Sequence, residues 1–117
     1  MNLLLVDDEV ITLNTLKIVV PWNDLGIHEI FTVSNIIDAK EILKTQPVQI
    51  VITDIEMPNG SGLDLISWMQ EETPDIVKIL LTCHSRFDYA SMALKCGAMD
   101  YLLKPIDLKE IEEIIHR

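Results

Sequence analysis

The sequence predicts an α/β fold, a parallel sheet covered on both faces by helices. Five short apolar, β-branched runs recur along the chain, at 3–6, 29–33, 49–53, 77–81 and 99–103. Near-continuous apolar runs of this length fit strands buried on both sides. After each run, apolar residues return every three or four positions, the period of an amphipathic helix. Five strand–helix units in alternation imply parallel strands joined by right-handed crossovers.

The elements follow in order. Strand 3–6 runs into Asp7-Asp8-Glu9, and the next helix carries Val10, Leu13, Leu16 and Val20 on one stripe. Pro21 ends it, because proline lacks the amide donor and clashes with the preceding turn. Strand 29–33 leads to a helix with Ile36, Ala39, Ile42 and Leu43 inward, stopped near Pro47. Strand 49–53 delivers Asp54 and then PNGSG at 58–62, the only loop-rich segment; Leu63, Ile66 and Met69 mark a third helix closed by Thr73-Pro74. Strand 77–81 ends at Thr82. The fourth helix opens at Ser85, with Asp88 in a variant capping box, and runs through Tyr89, Met92 and Ala93 to Gly97, a left-handed C-cap. Strand 99–103 ends at Lys104-Pro105. The fifth helix opens at Asp107, with Glu110 in the capping-box position, and buries Leu108, Ile111, Ile114 and Ile115.

The length of 117 residues reads as one domain, 1–117, able to bury roughly two thirds of its unfolded surface. A net charge of −10 argues against direct nucleic-acid binding, which needs clustered Lys and Arg. No apolar run approaches the roughly 20 residues of a membrane span, and no basic stretch precedes an apolar one as in a signal peptide. Cys83 and Cys96 have neither redox nor zinc spacing and read as buried thiols of a cytoplasmic protein.

The chemistry collects at strand ends. Asp7, Asp8 and Asp54 each follow an apolar run. At the carboxyl edge of a parallel sheet, where ligands gather, such acids repel one another unless a cation or a lysine offsets them. Mg²⁺ prefers oxygen ligands and needs only one or two carboxylates plus a phosphate. Each acid alone could serve a helix N-terminus; three together point to a hard-cation site. Thr82 and Lys104 end the fourth and fifth runs and reach the same edge, where a hydroxyl and an ammonium can share phosphoryl oxygens with a cation.

Four segments, LLLVDDE at 3–9, VITDIEMPNGSG at 51–62, LTCHS at 81–85 and DYLLKPI at 100–106, together resemble the receiver domains of two-component response regulators. The resemblance spans essentially the whole chain. It implies a flavodoxin-like sheet of strand order 2-1-3-4-5, with Asp54 as phosphoacceptor. It implies Mg²⁺ held by Asp7, Asp8, Asp54 and the Glu56 main-chain carbonyl. Thr82 and Lys104 would contact phosphoryl oxygens, Tyr101 would be the switch aromatic with Thr82, and Lys104-Pro105 would be a cis bond. A sensor histidine kinase is the implied partner. Homodimerisation on phosphorylation, through the fourth helix, fifth strand and fifth helix, is the implied output. Such a domain is not an enzyme in the ordinary sense, although it catalyses its own phosphorylation and dephosphorylation.

VVPWNDLGI at 19–27 and the segment 84–106 further resemble the YesN-like group, whose receivers precede AraC-type DNA-binding domains. The chain is therefore expected to be a receiver whose transcription-regulating output domain lies outside it. Two positions depart from the family pattern: Asn35 is followed by Ile36 where Gly is usual, and Cys83 follows Thr82 where a smaller residue is commonest. Other readings are a stand-alone or phosphorylation-independent interaction module, a flavodoxin-type redox protein and a Mg²⁺-dependent phosphatase. The redox reading lacks a Gly/Ser/Thr phosphate cradle after the first strand, and the phosphatase reading lacks a second acid suitably spaced after Asp54.

Overall fold

The structure is a computed structural model, and it describes residues 1–55, 57, 61–82, 100–103 and 108–115. Five strands, β1 (Asn2–Val6), β2 (Glu29–Val33), β3 (Ile50–Asp54), β4 (Val77–Thr82) and β5 (Asp100–Leu103), form one parallel sheet. Their order is β2-β1-β3-β4-β5, the expected flavodoxin-like arrangement. Helices α1 (Val10–Val19), α2 (Ile36–Thr45) and α3 (Gly62–Glu72) and a C-terminal helix (Leu108–Ile115) pack against it.

The period of two along each strand divides the core. Leu3, Leu5, Ile50, Ile52, Ile79 and Leu81 face α1 and the C-terminal helix, meeting Leu13, Leu16, Ile111 and Ile115. Leu4, Val6 and Val51 face the other way, onto Ala39 and Leu43 of α2 and Leu65 and Met69 of α3. A one-residue slip of any central strand would exchange these faces, so the register is strongly fixed. Trp68 of α3 lies under two ammonium groups of α2, with Lys40 Nζ 5.4 Å and Lys44 Nζ 6.0 Å from the ring centre.

Local chemistry sets the boundaries. Asn35 caps α2: its side chain accepts from the Asp38 amide at 2.8 Å and donates to the Asp38 carboxylate at 3.0 Å. The cap starts the helix without the glycine the family pattern favours at the next position. Between α1 and β2 lies a short 3-10 helix, Trp22–Leu25, that was not expected. Gly26 closes it at φ 83°, a left-handed conformation that glycine adopts at little cost. The buried Trp22 indole donates to the Leu16 carbonyl at 3.1 Å, tying this turn to α1.

One expectation needs correction. Val10 is 60% exposed and not part of the buried stripe, which consists of Leu13, Leu16 and Val20. Asp54 and Thr82 end β3 and β4 as expected, with ladder pairing extending to Asp54↔Leu81 and Thr82↔Leu103. The expected fourth helix at 85–97, the cap at Asp107, Cys83, Cys96 and the Lys104-Pro105 bond lie outside the described residues. No described helix is long and apolar enough to cross a membrane.

Lys78, within β4, buries its stem and carries its ammonium to the carbonyls of Ile76 at 2.9 Å and Pro74 at 3.3 Å. Burial lowers its pKa from 10.5, and nearby Asp75 partly opposes that shift. The folded state therefore binds this proton less tightly than the unfolded chain, so protonated Lys78 opposes folding at neutral pH. Stability should rise as pH climbs from the folded pKa towards 10.5. In urea titrations approaching pH 10.5 from neutral pH, this rise should be present in wild type and missing from Lys78→Met.

Candidate functional site

The two central strands carry acids to one place. Val6 of β1 pairs with Thr53 of β3, so Asp7 and Asp54, one residue on, leave the sheet edge side by side. Ladder bonds beyond the strand ends hold both backbones. The Asp7 amide donates to the Val33 carbonyl at 3.1 Å, and the Ile55 amide donates to the Leu81 carbonyl at 3.2 Å. Asp7 is 1% exposed and Asp54 7%. Two carboxylates buried this close together are placed to share one positive charge.

A third acid completes the group. One carboxylate oxygen each from Asp7, Glu9 and Asp54 lies within 4.8 Å of the other two. Glu9 precedes α1 in extended backbone, φ −86° and ψ 102°, and its side chain makes no capping bond to the helix. Its amide donates to Asp7 Oδ1 at 2.9 Å. Asp8, which the resemblance makes a metal ligand, is exposed and outside this group. The chain bends at Asp8, and Asp7 and Glu9 on either side of that bend come together.

The surrounding parts follow from the same edge. Thr82 is 3% exposed and lies one step beyond Leu81, the residue paired with Asp54. Tyr101 pairs with Leu80 on the outer strand β5 and is half-exposed. Helix α3 begins against the back of the acceptor. Ser61 and Asp64 form a reciprocal capping box, and the Gly62 amide donates to the Ile55 carbonyl at 2.9 Å. A Cβ on Gly62 would press into the Asp54 carbonyl oxygen and sit 2.9 Å from its carbonyl carbon. This close approach between 54 and 62 was not anticipated. Glu56 and Lys104 lie outside the described residues.

The donor set tells which ions suit it. Among the described residues the group offers only anionic oxygens, with no nitrogen or sulfur ligand. Oxygen donors select hard divalent cations such as Mg²⁺ and disfavour softer metals. Residues Asp7, Glu9 and Asp54 therefore fit the metal that the resemblance implies.

Comparisons with known proteins agree with this geometry. The model of the response regulator receiver domain matches residues 3–116. Response regulator protein PilR of Pseudomonas aeruginosa is 37% identical over 114 residues, covering 96% of this chain and 24% of its own length. Staphylococcal transcriptional regulatory proteins also match, and this chain spans less than half of their length. A two-component transcriptional regulator AraC from Clostridium phytofermentans superposes with a TM-score of 0.84 at 28% identity, covering 99% of this chain and 89% of that one. A Burkholderia pseudomallei response regulator, solved with a phosphorylated aspartic acid, calcium ion and citrate, gives 0.82 at 27% identity over 94% and 63% of the two chains. Fold, acidic strand ends and relatives converge: the chain belongs to the response regulator receiver domain family.

Proposed function

We propose that Asp54 accepts a phosphoryl group from a sensor histidine kinase in a Mg²⁺-dependent reaction, and that the phosphorylated domain controls a transcription-regulating DNA-binding domain. The observation that carries this reading is the buried Asp54 carboxylate at the end of β3, beside Asp7 and within reach of Glu9. The phosphorylated aspartic acid and calcium ion of the Burkholderia relative support both the acceptor and the cation. By the resemblance, Asp7, Asp8, Asp54 and the Glu56 main-chain carbonyl hold Mg²⁺.

The chemistry is positioning and charge. The Asp54 oxygen attacks phosphorus in line, its bond to the donor nitrogen breaks, and an aspartyl phosphate results. Bound Mg²⁺ supplies the positive charge that lets anionic phosphoryl group and carboxylates share the site. The Thr82 hydroxyl donates to a phosphoryl oxygen, and the Lys104 ammonium pairs with another. Movement of Thr82 leaves space that Tyr101 fills, biasing a two-state surface of fourth helix, β5 and fifth helix towards dimerisation.

The donor has an apolar landing place. Helix α1 starts next to Glu9 and exposes Val10, Ile11, Ile18 and Val19, with Ile11 and Ile18 each 81% exposed. Exposed apolar groups gathered on one helix mark protein contact, and in this reading the kinase seats on this helix. The net charge of −10 leaves DNA contact to another part of the protein. The YesN-like segments and the AraC regulator from Clostridium support an AraC-type domain in that role. In this reading residues 1–117 form a receiver domain.

Acetyl phosphate with Mg²⁺ should add one acid-labile phosphate per chain, seen by intact mass. Failure to label under any Mg²⁺ concentration would overturn the phosphoacceptor reading in favour of a phosphorylation-independent module. Mg²⁺ should also stabilise the fold, by about 1.4 kcal/mol at ten times its Kd. Asp8→Ala should lose most of that gain in thermal melts, and Asp7→Ala much of it if Asp7 acts through bound water. Equal Mg²⁺ shifts in wild type and both variants would overturn the ligand assignment.

A further inference from the structure

We infer that Thr53 is a positioning residue for phosphorylation: its hydroxyl holds the Asp54 main-chain carbonyl and so aims the Asp54 carboxylate. The inference rests on the proposed phosphoacceptor role of Asp54 and adds to it a residue to which the resemblance gives no role.

Thr53 is fully buried within β3, among Val51, Ile52 and Ile55. A hydroxyl taken out of water costs free energy unless it finds a hydrogen-bond partner. Here Oγ1 donates to the Asp54 carbonyl oxygen at 3.1 Å. Valine has the same branched shape, suits a strand at least as well and carries no polar atom to bury. Shape alone therefore does not call for threonine at this position; the donated hydrogen bond does.

The place of that bond gives it a consequence. The ladder between β1 and β3 stops at Val6↔Thr53, one residue short of Asp54. In the strand register Asp54 itself pairs only with Leu81 of β4. The acceptor thus stands where the chain leaves the sheet, with less backbone pairing than the residues before it. The direction of a side chain follows from the backbone angles at its own Cα, and a bond to the carbonyl of that residue restrains one of them, ψ. Helix α3 limits the same oxygen from another side, since a Cβ on Gly62 would press into it. Bonded by Thr53 and closely approached by Gly62, the Asp54 carbonyl has little room to turn. A carboxylate that must meet phosphorus in line depends on such restraint.

Rates of labelling by acetyl phosphate with Mg²⁺, followed by intact mass over a range of donor concentrations, test this on wild type, Thr53→Val and Thr53→Ser. Valine keeps the branched shape and removes the donor; serine keeps the donor and removes a methyl group. Circular dichroism gives the folded fraction by which each rate is divided. Positioning predicts that Thr53→Val lowers the rate at saturating donor about tenfold, with the half-saturating donor concentration near that of wild type. Thr53→Ser should recover most of the rate, although the lost methyl lowers its melting temperature. A wild-type rate in folded Thr53→Val would overturn the proposal. So would a Thr53→Ser as slow as Thr53→Val, because packing of the methyl would then be what matters. If Thr53→Val does not fold, Thr53→Ser decides alone: a rate near wild type in a less stable protein supports the hydroxyl, and a slow one overturns it. No labelling of wild type would remove the acceptor reading and this inference with it, a result distinct from a loss confined to Thr53→Val.

Discussion

Asp54→Asn should abolish phosphorylation by acetyl phosphate while leaving the fold intact. Asparagine nearly matches aspartate in shape, so the packing at the end of β3 survives. What is lost is the nucleophile: the amide oxygen carries no full charge and cannot form an acyl phosphate at a useful rate. The incorporated phosphate should fall below detection, at least about a hundredfold under wild type, a loss of the size that follows removal of a group acting only in the transition state. Stability moves the other way. Asp7, Glu9 and Asp54 crowd three carboxylates together, and removing one charge relieves repulsion between them. Without Mg²⁺ the variant should melt at or above the wild-type temperature; with Mg²⁺ it should gain less than wild type. Labelling at the wild-type rate would show that another residue is the acceptor, and a large drop in melting temperature would show that Asp54 is needed for folding.

The fold was legible because each strand is marked by a short apolar run and the crossovers by proline, glycine or a capping side chain. Strand order came with the family resemblance, since periodicity cannot say which strands are neighbours. The errors have physical causes. Helical spacing placed Val10 on the stripe of Leu13 and Leu16, yet spacing says nothing about how far the neighbouring surface extends. Asp54 and Thr82 were legible as strand ends, because a polar residue closes each apolar run. The acidic site was legible as a set of strand-end aspartates. Its third member was missed because the resemblance directs attention to Asp8, while a bend at Asp8 brings Glu9 to Asp7. Gly62 was missed for a different reason. Its constraint is a contact with a backbone eight positions earlier, and no local pattern encodes such a contact.

That contact carries the second large effect: Gly62→Ala should impair both stability and phosphorylation. The reason is space and not dihedral freedom, since Gly26 alone has positive φ among the described residues. An added Cβ would overlap the Asp54 carbonyl oxygen, sit 2.9 Å from its carbonyl carbon and lie 3.2 Å from the Ile55 Cα. All three neighbours are backbone, so no side chain can turn aside. Either the first turn of α3 lifts away, breaking the Gly62 amide bond to Ile55 and straining the Ser61–Asp64 capping box, or the end of β3 shifts. Overpacking of this kind costs about 1–3 kcal/mol, and alanine's better helix propensity returns at most about 1 kcal/mol. A shift at the end of β3 displaces the reacting carboxylate itself, and misplacement by about 1 Å can slow a reaction about a hundredfold. Gly26→Ala provides the contrast: its Cβ meets nothing within 4 Å, so only the left-handed backbone opposes it, at about 1–2 kcal/mol. Chemical denaturation and acetyl phosphate labelling should therefore separate the two variants, with both losing stability and only Gly62→Ala losing labelling rate in the folded protein. Wild-type labelling in Gly62→Ala would mean that α3 yields and Asp54 stays in place, removing Gly62 from the positioning of the acceptor.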